Sequence, residues 1–212
     1  MTNKTTLIEG VAAPLAQANL DTDQIMPKQF LRGIDKQGLA AGLLYDLRFY
    51  PEGKPRADFI LNQPDYAQAS ILVGGANFGC GSSREHAVWG LQQFGIQAVI
   101  ASSFGEIFYS NAMNNGLLLV MIPDEAIEKL MAGASTSPVH LTIDIEKCVV
   151  SNGQMSVPFQ LSDRHHQMIL NGLDMLGASL LHKNEIIHFA EKWHAQRPWL
   201  QDVAQKVREK LH

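Results

Sequence analysis

The sequence predicts an α/β protein with a parallel βαβ core followed by a helical C-terminal extension, on three observations. Between about residues 70 and 123, apolar runs that read as buried strands alternate with amphipathic stretches that read as helices, joined by short polar links. The composition, 46% hydrophobic and 18% charged over 212 residues, is that of a folded chain long enough for one sizeable core. Beyond about residue 172 the pattern becomes helical throughout. We therefore expect one domain over 1–212, with its core over about 5–170 and the extension over about 172–212.

The elements follow in order. Thr5 to Ala18 reads as a strand with a loop, and Asp21, Thr22 and Asp23 ahead of Pro27 as a turn whose short oxygens bond nearby N–H groups. Gly33 to Gln68, rich in Gly and Pro, reads as loops interleaved with short helical turns, the kind of segment that serves as a lid or an interface. "ASILVGG" is a buried strand and "SREHAVWGLQQFG" a helix stopped by Gly95. "IQAVIAS" is the next strand, "FGEIFYSNAMNNG" a helix ended by Asn115-Gly116, and "LLLVMIP" a third strand. Pro123 and two acids open a helix in "PDEAIEKLMAG". "PVHLTIDIEKCVVS" and "QMSVPFQL" are strands around Asn152-Gly153, a type I′ hairpin signal. Ser162 and Asp163 cap a helix through Leu173, and the remainder is helix, break and a long amphipathic helix interrupted at Pro198.

A formal net charge of −4 without any lysine or arginine run argues against nucleic acid as a partner. No signal peptide and no run of about eighteen apolar residues is present, so no membrane partner is expected and the cytoplasm is the expected location. The two cysteines, Cys80 in a glycine turn and Cys148 in an expected strand, are unlike in context, which speaks against a disulfide. Two cysteines also fall short of the thiolate set of an iron–sulfur cluster. His165 and His166, adjacent on a helix, face different sides and point to solvent rather than a shared metal. Trp193 and Trp199 read as helix packing.

The densest chemistry lies in "GGANFGCGSSREHAVWGL", Gly74 to Leu91. Glycines between a strand and a helix N-terminus let the backbone approach a ligand, and the free N–H groups with the helix dipole favour an anion. Arg84 adds a planar fork for a carboxylate or phosphate, and Ser82 and Ser83 add hydroxyls. A dinucleotide loop would want glycine where Arg84 stands, and a P-loop would want a lysine. A Cys80 nucleophile activated by His86 is chemically available but has no third group to orient the base. A purely structural reading has Ser82 or Ser83 capping the helix and Glu85 completing a capping box.

"GCGSSREHA", with "LDTDQIMPKQFL" upstream and "FGEIFYSNAMNNGLL" downstream, resembles the aconitase superfamily, in the swivelling C-terminal domain that closes over the active site. Over about Thr5 to His194 it is similar to the branch in which this domain is a separate chain, the small subunits of the isopropylmalate dehydratases or isomerases. The resemblance implies a swivelling β/β/α domain of the aconitase C-terminal kind. It also implies a hydro-lyase, active only with its large subunit in a heterodimer or higher assembly. That enzyme would isomerise 2-isopropylmalate to 3-isopropylmalate through 2-isopropylmaleate, in leucine synthesis. The same resemblance puts a [4Fe–4S] cluster on the large subunit, its open iron on the departing hydroxyl, with no cofactor and no metal ligands in this chain.

By motif match, Ser82 is implied as the catalytic base in alkoxide form, with Ser83 and Arg84 holding a substrate carboxylate. Asp23 matches an acid at the site edge, with a turn-forming role as the alternative. Phe30, Leu31 and Arg32 correspond to the loop that discriminates the γ-substituent. Phe30 and Leu31 suit an isopropyl group, whereas Arg32 would suit a third carboxylate, as in homoaconitases. Cys80 is then a turn filler, and Glu85, His86, Gly79 and Gly81 support the site. The alternatives are the small subunit of a homoaconitase or of a citramalate and methylmaleate hydratase, and a non-catalytic anion-binding module.

Overall fold

The computed structural model describes residues 6–31, 37–134 and 136–211. The chain forms two compact units, Met1–Asp174 and Met175–His212. In the first, β1 (Leu7–Leu15) leads through α1 (Thr22–Ile25) and α2 (Tyr45–Arg48) to β2 (Ile71–Gly74), α3 (Glu85–Phe94), β3 (Ala98–Ala101), α4 (Glu106–Asn114) and β4 (Leu118–Met121). α5 (Asp124–Leu130), β5 (Val139–Asp144), β6 (Val149–Ser151), β7 (Ser156–Pro158) and α6 (Asp163–Asn171) complete it.

The strands make one sheet in the order β4-β3-β2-β1-β5-β6-β7. The parallel βαβ core expected over 70–123 is present, and β1 extends it: Ala12 to Leu15 run parallel to Ile71 to Gly74. The same strand pairs antiparallel with β5, Leu7 opposite Asp144, so β1 is the seam between the parallel and antiparallel halves. Ile71, Leu72, Val73 and Ala98 through Ala101 are all buried, which is why these strands read as unbroken apolar runs without alternation. α3 stops where Gly95 takes φ +109° and returns its N–H to Gln92 O.

The stretch 37–68 consists, as expected, of short helical turns joined by loops. Leu39, Leu43, Leu44, Leu61 and Tyr66 anchor it in the core. Arg48 fastens it: its guanidinium donates to Asn62 Oδ1 (3.2 Å) and Leu43 O (3.2 Å) and lies 4.8 Å from the centre of the Phe94 ring. Burial lowers the Arg48 pKa from its ordinary value.

Several local expectations are corrected. The β6–β7 link is not a type I′ turn. Ser151 pairs with Ser156, and Asn152 Oδ1 accepts from the N–H groups of Gln154 and Met155 (both 3.0 Å), so its side chain organises the loop. Cys148 lies in the turn before β6 at φ +52°, not in a strand, and burial raises its thiol pKa. α6 is capped by Ser162 as expected but ends at Asn171, because Gly172 turns left-handed at φ 59°. His165 and His166 do face different sides, yet both are partly buried: the His165 ring packs 5.6 Å from the Tyr109 ring, and His166 Nε2 meets Ile145 O at 2.7 Å.

The second unit holds α7 (Met175–Leu180), α8 (Lys183–Gln196) and α9 (Val203–Leu211), with the expected break at Pro198, which opens a 3₁₀ turn over Pro198–Leu200. Trp193 stacks on Phe189 (5.7 Å) and carries the Arg197 guanidinium at 3.8 Å from its ring centre.

Candidate functional site

The glycine turn sits at the C-terminal ends of the parallel strands, the usual place for a site in such a sheet. Loops after β1, β2 and β3 are laced together there. Asn19 N donates to Ala76 O (2.8 Å), Gly79 N to Leu20 O (2.7 Å), Phe78 N to Ser103 O (3.1 Å) and Gly105 N to Phe78 O (2.9 Å). Phe78 is fully buried beneath the turn and meets Phe108 edge-on at 5.5 Å. Gly79, at φ +75°, passes so close to Phe108 that a Cβ would lie 2.2 Å from its ring. Gly81, at φ +91°, is free of such crowding.

Neither serine caps α3. Its N-cap is Arg84, without a side-chain cap, and Glu85 completes no capping box. From Ser82 to His86 no backbone N–H has an acceptor among the described residues. Ser82 and Ser83 are exposed, and neither hydroxyl makes a hydrogen bond among those residues. The result is a row of open N–H donors flanked by two free hydroxyls, a geometry suited to an oxyanion.

Arg84 Nη1 pairs with Asp23 Oδ1, and neither atom has a further hydrogen-bond partner among the described residues. Asp23 thus lies beside Arg84, while its neighbour Asp21 caps α1: Asp21 Oδ1 accepts from Gln24 N (2.7 Å), and Asp21 N donates to Gln24 Oε1 (3.1 Å). Glu85 turns to α4 and accepts from Asn115 Nδ2 at 2.7 Å. His86 packs on Trp89 (4.8 Å between rings), and no hydrogen bond joins it to Cys80 among the described residues, so the nucleophile–base pair considered for Cys80 is not assembled. Phe30 packs on Tyr45 (5.0 Å) and on Gly42, where a Cβ would fall 2.5 Å from its ring; Leu31 packs partly buried against the core. Arg32 lies outside the described residues.

Two residues that the sequence marks only as a turn residue and a helix end hold this constellation. Thr22, 1% exposed, donates its hydroxyl to Ser82 O (2.7 Å) and its N–H to Cys80 O (2.9 Å). Asn115, which reads in the sequence only as a helix terminator, accepts from Trp89 Nε1 (2.9 Å) and ties α4 to α3. Among the described residues no three His, Cys, Asp or Glu side chains come together as a metal site, and Cys80 and Cys148 are both free thiols.

A family model described as the aconitase C-terminal domain matches residues 2–125. The chain is 58% identical over 207 residues to the 3-isopropylmalate dehydratase small subunit 1 of Chromobacterium violaceum, covering 97% of this chain and 98% of that protein. It is 45% identical over 197 residues to the 3-isopropylmalate dehydratase small subunit of Caulobacter vibrioides, covering 92% and 98%. The crystal structure of a 3-isopropylmalate dehydratase from Methanocaldococcus jannaschii superposes with a TM-score of 0.63 at 28% identity, over 87% of this chain and 99% of that one.

Proposed function

The chain belongs to the 3-isopropylmalate dehydratase small subunits of the aconitase C-terminal domain family, and from that premise we propose how it takes part in the hydro-lyase reaction. With a large subunit it isomerises 2-isopropylmalate to 3-isopropylmalate through 2-isopropylmaleate, losing water across one carbon–carbon bond and regaining it with the opposite orientation, in leucine synthesis.

Ser82 is the base. Its alkoxide takes the proton from the methylene carbon beside a carboxylate, the hydroxyl on the neighbouring carbon leaves as water with a proton supplied from the large-subunit side of the site, and the double bond forms between them; on rehydration that side takes the proton back from the attacking water and Ser82 returns its own proton to the other carbon. Negative charge grows on the substrate carboxylate as the C–H bond breaks. Ser83, the Arg84 fork and the open N–H groups are the donors that meet it. The same donors and the positive helix end lower the cost of an alkoxide. The observation that carries this reading is the exposed Ser82 hydroxyl, without a partner among the described residues, at a helix N-terminus that has no side-chain cap among them.

Phe30 and Leu31 supply the apolar surroundings of the isopropyl group, and Asp23 aims Arg84. The family's [4Fe–4S] cluster does not fit the donors of this chain, two separated thiols without a third ligand, and we assign it to the large subunit. Among the described residues no helix is long and apolar enough to cross a membrane, and we place the enzyme in the cytoplasm.

Mixing the chain with its cluster-bearing large subunit tests the reading: turnover of 2-isopropylmalate on mixing, and none with the chain alone. Ser82→Ala should lower kcat by about 10²- to 10⁴-fold while the two chains still co-purify. A near-normal rate in that variant removes Ser82 as the base. Greater kcat/KM for homoaconitate or methylmaleate than for 2-isopropylmaleate would move the substrate to one of the related hydro-lyases.

A further inference from the structure

We propose that Thr22 is the positioning residue for Ser82: its buried hydroxyl fixes the Ser82 peptide and thereby the direction of the Ser82 side chain. The proposal rests on Ser82 being the base.

The Ser82 hydroxyl touches no partner among the described residues, so its place is decided by its backbone alone. That backbone is poorly constrained by its neighbours. Gly81 precedes it at φ +91° without a side chain, and the N–H groups from Ser82 to His86 have no acceptor among the described residues. The hydrogen bond that Ser82 O accepts from Thr22 Oγ1, at 2.7 Å, is the one bond made by the peptide groups of Ser82 among the described residues. Thr22 N–H holds Cys80 O at 2.9 Å on the other side of Gly81, so the N–H and the hydroxyl of Thr22 straddle that glycine.

The Thr22 hydroxyl has no competing local duty. Asp21 already caps α1 by accepting from Gln24 N, so a hydroxyl is not needed there for the helix itself. Burying a threonine hydroxyl is costly without a hydrogen bond, and this one is spent on a carbonyl of the reacting turn. Thr22 and Ser70 are the buried polar residues of the described core. A base displaced by a fraction of an ångström loses the alignment that makes proton abstraction fast, so the effect should fall on kcat.

The test uses the assembled enzyme and 2-isopropylmalate, with activity expressed per assembled complex and Tm measured alongside. Thr22→Val, which keeps shape and removes the hydroxyl, should lower kcat about 10- to 100-fold and leave KM within about threefold. Thr22→Ala should do the same, and stands in if the valine variant does not fold. Thr22→Ser should keep kcat within about threefold of the parent, a rescue that a packing role for the methyl group would not produce. In a Ser82→Ala background Thr22→Val should cost nothing further, since the group it aims is gone. Unchanged kcat in the valine and alanine variants, or an equal loss in the serine variant, overturns the proposal. If Ser82→Ala is inactive while Thr22→Val turns over normally, the positioning role alone fails. If Ser82→Ala itself turns over normally, the base assignment fails and takes the proposal with it.

Discussion

Arg84 Nη1 and Asp23 Oδ1 form an ion pair that joins the N-cap of α3 to α1 across the mouth of the glycine turn. The guanidinium side is 13% exposed and the carboxylate side 43%, so the two partners differ in what water can do for them once separated. Left alone, Asp23 can hydrate, whereas Arg84 is held in a drier place and needs an anion. On the proposed function the substrate carboxylate is that anion, and Asp23 would keep the fork aimed until it arrives. Arg84→Lys retains the charge and loses the bidentate fork, and should lower kcat/KM by roughly 10- to 100-fold in the assembled enzyme. Asp23→Asn should lower stability by about 1 kcal/mol and cost less in kcat/KM than Arg84→Lys. The reverse order in the kinetics would make Asp23, not Arg84, the residue that meets the substrate.

Two glycines of the same turn separate backbone strain from crowding. At Gly79 both act, since φ is +75° and a Cβ would sit 2.2 Å from the Phe108 ring. At Gly81 only strain acts: φ is +91°, and the nearest atom to a Cβ would be Asp21 Cβ at 3.5 Å. Gly79→Ala should therefore destabilise the chain by roughly 2–5 kcal/mol, strain and overpacking together. Gly81→Ala should cost about 1–2 kcal/mol and leave a folded chain whose defect is in turnover. Denaturant unfolding of the two variants checks the difference, and equal losses would show that contact with Phe108 is not what Gly79 avoids.

What was legible in the sequence follows from where two signals coincide. β2, β3 and β4 are unbroken apolar runs, and α3 has an apolar face and a glycine stop, so burial and termini agree on each boundary. At Asn152-Gly153 the dipeptide signal assumes that Asn adopts a positive φ. Asn152 instead spends its side-chain oxygen on two N–H groups and its Nδ2 on Leu130 O (3.0 Å), a tertiary contact that no local pattern encodes. Cys148 looked like a strand residue for the same reason, flanked as it is by Lys147 and Val149 in an apolar alternation. In the site, the serines and Arg84 stood out by residue type, but the groups that hold them did not. Thr22 reads as one more turn residue between two acids, and its bond to Ser82 exists only after β1 and β2 bring their loops together.

Asn115 is the joint between the two helices that flank the turn. Its Nδ2 donates to Glu85 Oε1 (2.7 Å), its Oδ1 accepts from Trp89 Nε1 (2.9 Å), and its backbone carbonyl accepts from Gln92 Nε2 (2.7 Å). Asn115→Ala deprives Trp89 Nε1 of this acceptor and Glu85 of this donor while sparing the Gln92 bond. The expected loss is about 1–3 kcal/mol. Asn115→Asp keeps an acceptor for Trp89 but sets a second carboxylate against Glu85, so part of its loss should be recovered as pH falls into the carboxylate range. Equal destabilisation of the aspartate variant at all pH values would show that Glu85 does not face residue 115 closely.

His165 links stability to pH through the same region of the fold. Burial lowers its pKa from the ordinary 6.5, and the charge of Arg164 lowers it further. Its ring lies against Tyr109 of α4, whose phenol pKa burial raises, so the packing of α6 on α4 disfavours charge on both rings. The folded state therefore keeps His165 neutral at a pH where the unfolded chain has already taken up a proton. The stability due to this group is full above pH 6.5 and is lost as pH falls from there through the lower folded value. Replacing the ring with an uncharged polar side chain, His165→Gln, removes that linkage at the cost of the contact with Tyr109. Thermal unfolding between about pH 7.5 and 5.5 should then show a smaller drop in Tm for the variant than for the parent chain. Parallel drops in the two proteins would place the acid sensitivity elsewhere.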